Sequence, residues 1–211
     1  MNAEELAQVG TNVKELFDAQ RELWNTKNFG AMGPIRAGVV EEHMENVIDN
    51  YLLKKYKFLD FGSGTGRLYP LFRKYDYYAV DIAEELINQF RDAYPNDKLN
   101  ITLMEEDKIP FDDGFFDVVW AYSVFTHTSF HLQDENILKE FSRVLKTGGM
   151  CLFTVFDIKY VNQGGWQNKD VDALTKLAEK YSLKFIDRKQ IPEVSNAEQS
   201  LLVFIKTEGK A

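Results

Sequence analysis

Tyr56 to Phe61 is a short, aromatic-rich run that stops on Gly62-Ser63-Gly64-Thr65-Gly66. A buried strand that leaves the core through such a glycine-rich stretch must turn sharply, and the pattern after the turn decides which folds remain open. Arg67 to Lys74 reads as a short helix, with Pro70 near its start, where a missing backbone donor is tolerated. The alternation then repeats. Tyr77 to Val80 is a second strand closed by Asp81, and Leu86, Ile87, Phe90 and Tyr94 recur at helical spacing within Glu84 to Tyr94. Asn100 to Met104 and Phe116 to Tyr122 read as the third and fourth strands. Ile137, Leu138, Phe141, Val144 and Leu145 mark the buried stripe of a helix expected to be capped by Gly148.

Met150 to Phe156 is a fifth strand, Val171 to Tyr181 a helix, and Leu183 to Lys189 and Ser200 to Lys206 are the last two strands. A parallel pair needs a crossover of roughly a dozen residues or more, and only about ten join these two, so they are expected to run antiparallel. The pattern therefore predicts an α/β fold: a doubly wound sheet of seven strands, mostly parallel, ending in an antiparallel hairpin.

The first 55 residues carry no strand pattern. Leu6, Val9, Val13, Phe17 and Trp24, and then Val40, Met44, Val47, Ile48 and Tyr51, repeat at helical intervals, so two helices precede the sheet. Asn25 to Gly38, rich in glycine and turn formers, is either a lid over the carboxyl ends of the strands or an ordinary connection. Residues 1–55 are thus expected as a helical cap or lid packed on a core of residues 56–211, within one structural domain. The 211 residues, 45% hydrophobic and 14% aromatic, suffice for one core.

No apolar stretch approaches the roughly 20 residues that span a bilayer, and Met1 to Gln8 is acidic and polar, so neither secretion nor membrane insertion is expected. The single cysteine, Cys151, lies in the apolar run Met150-Cys151-Leu152-Phe153 and reads as a buried thiol in a reducing cytoplasm. With 33 acidic against 25 basic residues, the formal charge of −8 repels a polyanion unless basic groups gather on one face. Nucleic acid is a disfavoured partner.

In an open parallel sheet, ligands bind outside the carboxyl ends of the strands where the strand order reverses. Glycines in the first turn allow positive φ and close approach of a ligand, and the helix that follows presents free N–H groups to a carboxylate. Dinucleotide enzymes place G-x-G-x-x-G at this point. Here the third glycine comes one residue early, with Arg67 standing where that fingerprint has Gly or Ala. Asp60, just before the turn, either meets the ligand or holds the loop by accepting backbone N–H bonds.

Leu59-Asp60-Phe61-Gly62-Ser63-Gly64-Thr65-Gly66 resembles the signature loop of class I methyltransferases, which use S-adenosyl-L-methionine and release S-adenosyl-L-homocysteine. The resemblance implies a Rossmann-like core in which Asp60, Gly62, Ser63, Gly64, Gly66 and Arg67 surround the methionine end of the cofactor. It implies that Asp81, with Ile82 beside it, binds both ribose hydroxyls, a chemically sensible role for a bidentate acceptor. Glu105 and Glu106 fall where the family contacts adenine, and Ala121 and Tyr122 end the fourth strand beside the cofactor. Ile109 to Val119 is similar to the family's approach to that strand. Ser123 to His127 and Glu140 to Gly149 resemble the segments that follow it, with Thr147 where a proline is usual. The resemblance spans roughly residues 56 to 157. Outside it no motif is recognised.

Methyl transfer from a sulfonium is an in-line displacement, so alignment and proximity supply most of the rate and a dedicated base depends on the acceptor. The acceptor pocket is expected after strands four and five, with Tyr122, His127, His131, Asp157, Tyr160 and Trp166 as its candidates. His127 reads as a general base or as a hydrogen-bonded structural histidine, and Asp157, ending the fifth strand, is the other catalytic candidate. His131 sits at the start of its helix. Arg36 either meets the cofactor carboxylate or is a surface arginine. His43, His127 and His131 lack partners at ligand spacing, so no metal site is expected.

The expected activity is methylation of a small-molecule acceptor, favoured by the size and acidity of the chain. Two alternatives stand beside it: a catalytically silent S-adenosylmethionine-binding scaffold, and a nicotinamide-dependent oxidoreductase, which the glycine spacing disfavours. An aminopropyl transferase would carry a loop similar to Gly-Gly-Gly-Asp-Gly, which is absent here.

Overall fold

The computed structural model describes residues 13–26, 56–105, 107–128, 133–157, 168–191 and 199–209. Helix α1 (Val13–Thr26) precedes strand β1 (Lys57–Phe61), the four-residue helix α2 (Tyr69–Phe72), β2 (Asp76–Asp81), α3 (Glu84–Ala93), β3 (Asn100–Leu103) and β4 (Phe116–Ala121). A 3-10 turn at Phe125–His127 leads to α4 (Glu135–Val144), β5 (Leu145–Asp157), β6 (Asn168–Lys169), α5 (Val171–Lys180), β7 (Leu183–Ile191) and β8 (Gln199–Lys206). The sheet runs in the order β3-β2-β1-β4-β5-β8-β7, with β6 paired to the end of β5. All pairs through β5 are parallel, and β8 is antiparallel to both β5 and β7, as the short terminal connection requires. The chain winds outward from β1 to β3 and then restarts at β4 on the other side of β1. The order therefore reverses between β1 and β4, the point at which open α/β sheets generally bind ligands outside the carboxyl ends of their strands.

Both faces of the sheet are covered, which is why its strands are apolar on both sides rather than alternating with polar residues. Leu59, Phe61, Val119, Ala121, Cys151 and Phe153 pack beneath Leu138, Phe141 and Val144 of α4 and Leu174 and Ala178 of α5. On the opposite face Phe58, Tyr77, Ala79, Val118, Trp120 and Leu152 pack against Tyr69 and Phe72 of α2 and Ile87 and Phe90 of α3. Successive residues of one strand thus enter different cores, as the pleat dictates.

Three local features differ from the sequence expectation. Gly148 does not cap a helix. α4 ends at Val144, and Leu145 already has extended backbone at the cap because it pairs with Phe116 of β4. The β4–β5 register then jumps from Phe116↔Leu145 to Val118↔Met150, and Gly148, with φ +82°, lies in the intervening turn. A Cβ on the neighbouring Gly149 would stand 2.8 Å from the Lys146 carbonyl and 3.0 Å from that of Asp117, so close backbone approach demands the glycine there. The helix expected over Arg67 to Lys74 contracts to α2, since a turn at Arg67 and Leu68, entered from Gly66, occupies the first residues of that span. The two-residue β6 has no periodicity to announce it.

The approach to β4 is pinned by α4. Glu140 accepts the Ile109 N–H at 2.9 Å, and Arg143 donates to the Ile109 and Phe111 carbonyls at 2.7 Å each, so side chains satisfy backbone groups that have no ladder partner. α1 lies along the carboxyl-end rim. Arg21 donates to the Glu105 carbonyl after β3 at 2.9 Å, Gln20 to the His127 carbonyl after β4 at 2.6 Å, and Asn25 accepts the Glu85 N–H after β2 at 3.3 Å. The 27–38 segment and the helix expected from Val40 to Tyr51 lie outside the described residues. No described helix is long and apolar enough to cross a membrane.

Candidate functional site

The turn after β1 is built from three residues in left-handed backbone: Gly62 at φ +71°, Gly64 at +55° and Gly66 at +75°. That region is accessible to glycine without the clash a Cβ brings. The Gly62 and Ser63 N–H groups both donate to the Val80 carbonyl of β2, at 2.8 and 3.2 Å, which folds the turn back over the sheet end. The glycines have separate duties. A Cβ at Gly62 would stand 2.5 Å from Val124 Cγ2 and one at Gly66 2.3 Å from the Phe90 ring, whereas at Gly64 nothing lies within 4 Å. Two glycines make room for protein and the third faces open space.

Asp81, buried at the carboxyl end of β2, closes the other side of this space. Its Oδ2 accepts the Gly64 N–H at 2.8 Å and its Oδ1 the Ala83 N–H at 2.9 Å, tying the glycine turn to the turn before α3. Burial raises its carboxyl above the ordinary range, and the N–H bonds from Ala83, Gly64 and Ile82 oppose that rise. Ile82 beside it is half-buried against the core. Asp60 accepts the Tyr77 hydroxyl at 2.8 Å. Burial pushes its pKa up to about 7; the Tyr77 bond pulls the other way, and the nearby Asp81 adds to the rise. Ser63 Oγ is buried without a hydrogen-bond partner in the described structure, a polar atom left for a ligand to satisfy.

Across the crevice, β4 ends at Ala121, which is buried, and Tyr122 follows it. The Arg67 guanidinium sits 5.1 Å above the Tyr122 ring, so the helix side of the glycine turn and the end of β4 meet in a cation–π contact. Glu105 is exposed at the end of β3, one strand beyond Asp81. His127 ends the 3-10 turn, its ring edge-on to Trp24 of α1 with centroids 4.9 Å apart. Asp157 ends β5 in register with Lys169. Arg36, Glu106, His131, Tyr160 and Trp166 lie outside the described residues.

Two buried polar clusters had no counterpart in the sequence reading. Ser123, Thr154 and Gln199 meet where β4, β5 and β8 converge at the same sheet edge. Lys169, 1% exposed, donates to Asp134 at 2.7 Å and to the Thr128 carbonyl at 2.5 Å, fastening β6 to α4 and to the end of the 3-10 turn. The visible signals were a threonine inside the apolar run of β5 and a lysine just before a helix. Neither identifies its partner.

Residues 59–153 match a family described as the methyltransferase domain. Among curated proteins, the ubiquinone/menaquinone biosynthesis C-methyltransferase of Paraburkholderia phytofirmans is 34% identical over 140 residues, 62% of this chain and 51% of that protein. The sarcosine/dimethylglycine N-methyltransferase of Halorhodospira halochloris is 46% identical over 46 residues, 22% of this chain and 15% of that protein. The chain thus spans about half, or less, of the length of these relatives. Among solved structures, geranyl diphosphate C-methyltransferase from Streptomyces coelicolor, in complex with Mg2+, geranyl diphosphate and S-adenosyl-L-homocysteine, superposes with a TM-score of 0.67 at 11% identity. That match covers 93% of this chain and 100% of that one, and at such identity it speaks to the fold.

Proposed function

We propose that the chain, whose residues 59–153 match the methyltransferase-domain family, is a class I methyltransferase that binds S-adenosylmethionine in the glycine turn and methylates a small-molecule acceptor. The observation that carries the reading is the pairing of Gly64, whose missing side chain leaves open space, with the buried Asp81 carboxylate that accepts its N–H. A carboxylate offers about four lone-pair sites, so Asp81 can hold the Gly64 and Ala83 N–H groups and still accept from ribose hydroxyls. The orphaned Ser63 Oγ and the open face of Gly64 fit the methionine end, and Arg67, held over Tyr122, closes it. Ile82 borders the ribose, and Glu105 lies on the adenine side.

The cofactor supplies an electrophilic methyl group on a sulfonium, and the task of the protein is to hold a nucleophile in line with it. On this reading Tyr122 and His127, which follow β4, and Asp157, at the end of β5, form the acceptor side, with α1 as a cap over the same rim. The relatives named as a sarcosine/dimethylglycine N-methyltransferase and a ubiquinone/menaquinone biosynthesis C-methyltransferase support a small acceptor, as does the formal charge of −8.

Calorimetric titration with S-adenosylhomocysteine tests the reading. The parent should bind, and Asp81→Ala should bind at least about tenfold more weakly, the expected loss for hydrogen bonds to a charged group. No binding by the parent at millimolar ligand, or equal binding by the variant, would overturn it.

A further inference from the structure

We propose that Thr154 and Gln199 are positioning residues for the cofactor site, acting by locking Ser123 in a left-handed conformation from which its two neighbours contact the glycine turn. This inference rests on the cofactor reading above. Ser123 has φ +57°, and Ser182 is the other non-glycine residue with positive φ among the described residues. A residue with a Cβ stays in that region only where its surroundings over-determine it.

Here they do so through each polar group of the residue. The Ser123 N–H donates to Thr154 Oγ1 at 2.8 Å, its carbonyl accepts the Thr126 hydroxyl at 2.7 Å, and its Oγ accepts Gln199 Nε2 at 3.1 Å. Gln199 Nε2 also donates to Thr154 Oγ1 at 3.0 Å, so one carboxamide bridges the two hydroxyls. Thr154 and Gln199 are both fully buried, and Gln199 Oε1 is left without a partner. A fold that needed only an apolar sheet here would not bury a threonine and a glutamine and orphan an amide oxygen.

The consequence falls on the residues either side. Tyr122 lies under the Arg67 guanidinium at 5.1 Å, and Val124 fills the space that a side chain at Gly62 would need. If Ser123 relaxed to right-handed backbone, the chain direction between Tyr122 and Val124 would change and one of the two contacts with the turn would be lost. β5 and β8 thereby help to set the shape of the far wall of the glycine turn.

The test compares Thr154→Val, Thr154→Ser and the double variant Thr154→Val/Ser123→Gly by calorimetric titration with S-adenosylhomocysteine, with Tm recorded for each. Thr154→Val removes the acceptor of the Ser123 N–H and should weaken binding about tenfold, while Thr154→Ser keeps it and should stay within about twofold of the parent. Adding Ser123→Gly should restore most of the affinity, because glycine adopts positive φ without support. A threonine that merely fills the core would not be rescued that way. Thr154→Val binding as tightly as the parent, or the double variant binding no better than the single, would overturn the proposal. Should Thr154→Val not fold, Gln199→Met with and without Ser123→Gly makes the same comparison. A parent that fails to bind removes the cofactor reading and this inference together; unaffected variants of a binding parent remove only this one.

Discussion

Tyr77 donates its hydroxyl to Asp60 Oδ2 at 2.8 Å, from the neighbouring strand and on the face packed by α2 and α3. The Asp60 carboxyl, one residue before the end of β1, is therefore held inside the sheet, below the glycine turn. Its burial leaves it titrating near neutrality, where a surface aspartate would long be ionised.

That placement sets a pH dependence. Asp60 has a folded-state pKa of about 7 against an ordinary 3.8, so the folded state keeps a proton that the unfolded chain releases. The stability this contributes is fully present below about pH 4 and is lost as the pH rises to about 7. Relative to Asp60→Asn, which does not titrate, the parent should lose up to about 4 kcal/mol across that window. Urea unfolding of both proteins between pH 4 and 8 measures the difference, and a constant gap would refute the assignment.

The glycines of the turn should separate stability from binding. Gly66→Ala forces a Cβ to 2.3 Å from the Phe90 ring at φ +75° and should cost about 2–4 kcal/mol through overpacking and backbone strain. Gly64→Ala meets nothing within 4 Å and should cost only about 1–2 kcal/mol, from left-handed backbone. It should nevertheless abolish S-adenosylhomocysteine binding, because the added methyl occupies the open face. Thermal unfolding beside calorimetry reads both effects.

The Lys169–Asp134 pair, 1% and 0% exposed, should be far more costly to break than to replace. Lys169→Met alone takes the cation away from a buried carboxylate and should destabilise by about 3–5 kcal/mol, whereas joining it to Asp134→Leu should cost less than the sum of the single changes. A double-mutant cycle in denaturant gives the coupling, and additivity would contradict the geometry.

Cys151 is buried, and burial pushes its thiol well above the ordinary range. Labelling by a thiol reagent should therefore require opening of the fold, and at reagent concentrations where labelling outpaces reclosing it should proceed at the opening rate, independent of reagent. Rapid stoichiometric labelling of the native protein would show that β5 is more open than its packing indicates.

Much of the architecture was legible because its signals are local. Short aromatic and β-branched runs, the first of them halted by glycines, located β1, β2, β4 and β5, and the ten-residue spacing before Ser200 required the antiparallel ending that β7 and β8 adopt. Gly148 was misread because a helix end and a strand start competed for the same residues. Pairing of Leu145 with Phe116 decided the outcome, and no local signal reports a long-range pair.

The same division runs through the site. The glycine turn and Asp81 stand a few residues from the strands that carry them, so the sequence by itself determined that they would share one edge of a parallel sheet. Tertiary structure alone decided that Gly66 makes room for Phe90 while Gly64 faces open space, and that Asp81 bonds to the turn. It likewise decided that Ser123, Thr154 and Gln199 form one network. Residues 123 and 199 meet only after β4, β5 and β8 have aligned, and their hydrogen bonds depend on a register that is set by the packing of the whole sheet.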